Sequence, residues 1–153
     1  MANTWPPFKV SYPVAMVYQY DNTSCWAAGI AMLAATDLDS VLGEHKGEAM
    51  TWERIEPIAQ SYGLKEIFPA CGLPNYWEQN LDQHGPIWVV LKLGTGHVSH
   101  AVVLHTVESD GTPDGTYCYY NDPISGPSQK SYPDFESTFE VGASSRANLF
   151  AMY

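Results

Sequence analysis

Residues 25–35 read Cys-Trp-Ala-Ala-Gly-Ile-Ala-Met-Leu-Ala-Ala, a run without a charged side chain. Ala, Leu and Met favour a helix. A helix that is apolar on nearly every side is stable only where other elements cover it from all directions. The rest of the chain must therefore be built around this segment. Ser24 precedes it and is of a residue type that caps helices, its hydroxyl accepting a first-turn N–H. Cys25 then falls at the helix N-terminus, where unpaired N–H groups and the helix dipole favour negative charge. That environment is one of those that stabilise a thiolate and make it a nucleophile.

The 153 residues, 45% of them apolar, are expected to form one domain, 1–153, with a substantial core. The longest apolar stretches, 27–35 and 87–91, are too short to span a bilayer, so no membrane partner is expected. The opening Met-Ala-Asn-Thr-Trp-Pro-Pro has no basic segment followed by an apolar one, so no Sec-type signal is expected. A formal net charge of −10 argues against binding a phosphate backbone, and nucleic acid is not an expected partner. Cys25, Cys71 and Cys118 are odd in number and form no CxxC pair, which argues against a disulfide framework. Cys71 and Cys118 are expected to be ordinary buried thiols in a chain made in a reducing compartment.

Residues 1–18, with Pro6, Pro7 and Pro13, predict an extended arm with a short strand at 14–18. A second short helix is expected within 36–42. Thr51 can cap a helix running to Tyr62, with Pro57 kinking or dividing it and Gly63 beyond its end. Pro74 to Gln83 predicts another helix, with Gly85 past its end. From Gly85 on, the pattern predicts strands at 87–93, 99–107, 115–121 and 147–153. Asp110-Gly-Thr-Pro-Asp-Gly115 has turn chemistry that makes its two flanking strands an antiparallel pair. Residues 124–133 are Ser-, Gly- and Pro-rich and predict a loop. Helices first and strands later give an α+β fold, with the buried helix packed on an antiparallel sheet.

A cysteine nucleophile needs a base, a group that orients the base, and donors for an oxyanion. Five histidines are available: His45, His84, His97, His100 and His105. His45 and His84 sit in polar contexts that suit solvated positions. His100 opens an apolar strand, where both a satisfied core histidine and a catalytic base fit. His105, five residues on, is expected on the other face, and His97 in a Gly-Thr-Gly-His turn competes with His100. His97 and His100 also have a metal-like spacing, but neither carboxylate nor cysteine stands at ligand spacing beside them, so no metal and no cofactor is expected. Asn121-Asp122-Pro123 ends the strand expected to pair with the His100 strand. Asp122 there fits a turn initiator and also a carboxylate that orients an imidazole. Gln19 can offer a side-chain amide to an oxyanion beside the Cys25 N–H, or be a plain polar residue before a loop.

Gln19, five residues, then Cys25-Trp26-Ala27, with His100-Ala-Val-Val-Leu and Asn121-Asp122-Pro123 following in that order, resembles the papain-like cysteine peptidases. The likeness spans roughly 14–123. The short chain and the Asp-Pro after the histidine strand resemble two bacterial branches: the double-glycine, bacteriocin-processing peptidases and the small papain-like effector proteases. The resemblance implies a papain-like fold, with Gln19 in the oxyanion hole, Cys25 as nucleophile, His100 as base and Asp122 as its orienting group. Asn121 is the fallback for Asp122, because papain itself has Asn there. The lack of a membrane segment favours a free-standing effector over a transporter-linked enzyme.

The implied function is hydrolysis of peptide bonds in proteins of a target cell, with small residues such as Gly-Gly before the cut. The implied location is the producer's cytoplasm until a specialised secretion system delivers the enzyme. An enzyme of this kind would need a cognate inhibitor or immunity protein as partner. Two other readings use the same residues: a transglutaminase- or deamidase-like enzyme acting on glutamine side chains, and a catalytically inactive papain-fold binding module.

Overall fold

The computed structural model describes residues 5–48, 50–66, 74–91, 100–138 and 149–151. Helix α1 (Cys25–Ala34) is buried at every residue from Cys25 to Leu33, as its all-apolar composition demands. It packs on strands β3 (Ile87–Leu91) and β4 (His100–Ser109) and on helix α2 (Leu38–Leu42). Gly29 permits this closeness: a Cβ there would meet the Trp88 indole, 2.6 Å from its Nε1. Trp88 Nε1 donates to the Trp26 carbonyl at 3.2 Å, which fastens the first turn of α1 to β3. Asp37 caps α2, its carboxylate accepting from Ser40 N at 2.7 Å.

Among the described residues one seven-stranded sheet runs in the order β2-β7-β3-β4-β5-β6, with β1 also on β4. These are β1 (Phe8–Ser11), β2 (Lys65–Glu66), β5 (Thr116–Asp122), β6 (Gly126–Ser131) and β7 (Leu149–Ala151), and every pairing is antiparallel. The first half of β4 pairs with β3, from His100↔Leu91 to Leu104↔Ile87, and its second half pairs with β1. Along its other edge lies β5, with a register shift between Leu104 and Thr106 that makes His105 a bulge. Side chains alternate between two cores. Trp88, Ala101 and Val103 face α1, α2 and α3 (Trp52–Ser61). Ile87, Val89, Val102 and Leu104 face α4 (Pro74–His84) and α5 (Tyr132–Thr138). Residues 87–89 of β3 and 100–104 of β4 are thus covered on both faces, whereas the second half of β4 carries the half-buried His105 and Glu108.

Some expectations fail. The N-terminal strand is at 8–11, not 14–18. Phe8-Lys9-Val10-Ser11 has the alternating burial of a half-exposed strand, whereas Pro13 lacks the N–H a ladder needs. Pro57 lies inside α3 without dividing it. The expected loop at 124–133 is strand β6 followed by the start of α5. Pro127, Ser128, Gln129 and Lys130 make β6 a polar sheet edge without an apolar face, so periodicity could not reveal it. Cys118 is buried in β5, and Cys71 lies outside the described residues.

Candidate active site

Cys25 begins α1 and His100 begins β4, while Asp122 ends β5. The antiparallel β4–β5 pairing and the packing of α1 on β4 bring these three element ends together. His100 Nε2 lies 2.9 Å from Asp122 Oδ1. The other side of the imidazole is hydrogen-bonded to the Cys25 side chain, so Nδ1 is the ring nitrogen left for the sulfur. Cys25 is 3% exposed and His100 9%. Burial works to lower the His100 pKa, but its hydrogen bonds to Asp122 and Cys25, with the electrostatic attraction of both groups, raise it from 6.5 to about 9. His100 therefore keeps its proton at neutral pH.

Asp122 makes contacts of both kinds that its sequence context suggested. Its Oδ1 accepts from Ile124 N at 2.8 Å and Ser125 N at 3.3 Å, as a turn-initiating Asp does. The same oxygen meets His100. Burial pushes its carboxyl up, but the His100 hydrogen bond, the two backbone donors and the His100 charge outweigh that and lower its pKa.

Asn121, the fallback, points elsewhere: its Nδ2 donates to Val14 O at 3.1 Å, and its side chain is hydrogen-bonded to His105. His105 Nδ1 is 2.8 Å from Thr106 Oγ1. Burial lowers the His105 pKa, with the Asn121 hydrogen bond opposing. His97 lies outside the described residues. His45 is not merely solvated: it stands edge-on to Trp26, centroids 6.4 Å apart, and is paired with Glu48 at 3.2 Å. His84 ends α4, half-buried, with a buried Nδ1. Among the described residues no group of three or more His, Cys, Asp or Glu side chains is arranged to hold a metal.

Gln19 sits in the arm just before α1. Its backbone N donates to Pro123 O at 3.0 Å, the residue after Asp122. Its Nε2 donates to Asp21 O at 2.6 Å. A primary amide carries two N–H hydrogens, so one remains for a ligand. The Ser24 cap departs from expectation. Ser24 stands at the N-cap with φ −101° and ψ 10°, not the extended conformation of a capping serine, and its side chain makes no cap bond. Asp21 organises this loop instead, accepting from Thr23 N at 2.9 Å and Thr23 Oγ1 at 3.0 Å. Those bonds, the backbone one first, hold its carboxyl below the usual range. The first-turn N–H groups of α1 are thus left without a side-chain cap beside Cys25.

Similarity to known proteins extends over the same elements. A family model described as papain-like cysteine protease AvrRpt2 matches residues 44–140, more than half of the chain, including His100 and Asp122 but not Gln19 or Cys25. Among curated proteins the sequence has no significant match. Eleven solved chains match, two of them as follows. One is a double-glycine-motif protease from an AMS/PCAT transporter in complex with the leader peptide, at TM-score 0.59 and 20% identity, covering 92% of this chain and 91% of that one. The other is the peptidase domain of Streptococcus ComA, a bifunctional ABC transporter of a quorum-sensing pathway. It aligns at TM-score 0.62 and 18% identity, covering 91% of this chain and 95% of that one.

Proposed function

Since the chain belongs to the family of papain-like cysteine proteases described as AvrRpt2, we propose that Cys25, His100 and Asp122 are its catalytic residues. The observation that carries this is the continuous hydrogen-bonded line from Cys25 through His100 to Asp122. In this reading the Cys25 thiolate attacks a peptide carbonyl carbon, and its oxygen becomes an oxyanion. The second Gln19 Nε2–H and the Cys25 N–H stabilise that charge. His100 gives its proton to the leaving amine as the C–N bond breaks, leaving a thioester on Cys25. It then takes a proton from water, which attacks the thioester and releases the acid. Asp122 holds the ring and favours its charged form throughout.

The substrate is a protein of a target cell, reached from the producer's cytoplasm by a specialised secretion system, and a cognate inhibitor or immunity protein restrains the enzyme at home. Resemblance to the small papain-like effector proteases supports that setting. A preference for small residues before the cut is supported by the fold shared with a double-glycine-motif protease bound to its leader peptide. Labelling of new N-termini in cells expressing wild type or Cys25→Ala tests both points. Cleavage is expected only with the wild type, and the residues before each cut read out the preference. Cleavage retained by a folded Cys25→Ala protein would end the assignment, and full activity without harm to the producing cell would remove the need for an inhibitor.

A further inference from the structure

Asn121 is 3% exposed, and both ends of its amide are engaged away from His100. With Nδ2 on the Val14 carbonyl, Oδ1 is the atom left to accept from His105. His105 is turned to it by the bulge in β4, a feature that re-aims a side chain. The other ring nitrogen lies 2.8 Å from Thr106 Oγ1, itself 2.8 Å from Ser11 Oγ. A donor on one side and an acceptor on the other fix the amide in one orientation.

The arm that Asn121 grips is joined to the sheet by few hydrogen bonds. From Pro13 to Gln19 it has no regular secondary structure. Pro13, Val14 and Ala15 border a cavity of about 440 Å³ against the end of α1. The same three residues border a groove of about 680 Å³ beside His105 and Asn121. Val14, Met16 and Val17 rest half-buried on the core around α1, and such apolar contact is non-directional, so it seats the stretch without setting where its polar groups point. Its backbone hydrogen bonds are Tyr12 N on His105 O at 3.0 Å, Val14 O with Asn121, and Gln19 N on Pro123 O.

We propose that Asn121 is a positioning residue for the oxyanion donor, tying the arm that carries Gln19 to the strand end that carries Asp122. Three consecutive residues then locate three parts of the machinery: Asn121 the arm, Asp122 the imidazole, and Pro123 the Gln19 backbone. The inference rests on the role of Gln19 proposed above.

Two reactions of Cys25 in the full chain separate the possibilities, each followed by mass spectrometry of the peptide that contains it. With p-nitrophenyl acetate the thiolate attacks the acetyl carbon through an oxyanion, and p-nitrophenolate leaves. With iodoacetamide the sulfur displaces iodide directly and no oxyanion forms. Asn121→Ala is expected to slow acylation about 10- to 100-fold, as a displaced oxyanion donor does, while alkylation stays within about twofold. The Gln19→Ala, Asn121→Ala double variant should acylate no more slowly than Gln19→Ala alone, because Asn121 acts through Gln19. If the alanine variant does not fold, Asn121→Asp keeps the size and the acceptor for His105 while setting a carboxylate against the Val14 carbonyl, with the same expected split. Equal slowing of both reactions, unchanged acylation, or independent losses in the double variant would overturn the inference. A wild-type Cys25 that acylates no faster than a denatured chain would instead refute the catalytic assignment itself.

Discussion

Replacing Asp122 by Asn changes one property of the site and leaves its shape. The retained Oδ1 can still accept from Ile124 N and Ser125 N, so the turn persists. What disappears is the negative charge 2.9 Å from His100 Nε2. A hydrogen bond to a charged partner contributes ~1.5–3 kcal/mol against ~0.5–1.5 for a neutral one. The difference, about 1–1.5 kcal/mol, corresponds to about one pK unit. The His100 midpoint, raised to about 9 in the wild type, should therefore fall to about 8 in Asp122→Asn. Stability follows with a definite sign. A raised His100 pKa stabilises the fold fully below 6.5, and that contribution fades as pH rises through about 9. A lowered Asp122 pKa stabilises above 3.8 and fades on acidification below it. The melting-temperature deficit of the variant should be largest between 3.8 and 6.5 and shrink at either extreme. Imidazole ¹⁵N NMR gives the midpoint directly, and scanning fluorimetry across pH gives the deficit. A midpoint unmoved by the substitution, or a wild-type midpoint near 6.5, would refute the electrostatic reasoning.

Gly29→Ala places a methyl group against the Trp88 indole and should destabilise the fold by about 1–3 kcal/mol, read from urea unfolding. An unchanged unfolding midpoint would show that β3 and α1 separate freely. His100→Ala should lower peptide cleavage by about 10²- to 10⁴-fold, the usual cost of losing a general base. His97→Ala should leave most of it, and the opposite order in a cleavage time course would transfer the role to His97.

The central helix, its cysteine at the N-terminus, the turn at 110–115 and the antiparallel strands flanking it were legible because each depends on residues within one short window. Alternation, apolar composition and turn chemistry act locally, and they set where α1, β4 and β5 begin and end. The polar edge strand β6 was not legible, since it has no apolar face and its pairing with β5 leaves no periodicity in the sequence. Ser24 looked like a cap, but its backbone conformation, set by the Asp21 loop, takes the hydroxyl out of that role. The two readings of Asp122 could not be separated in one dimension because the same oxygen serves the turn and the histidine. Whether Asn121 or Asp122 faces His100 was decided in three dimensions by the pleat of β5 and the bulge at His105. The partner of Asn121 lies 107 positions away, a separation over which no local preference acts. The sequence by itself determined which residues are chemically able to form the site. Tertiary packing alone decided which of them meet, because register, bulges and the course of the arm follow from contacts between segments remote along the chain.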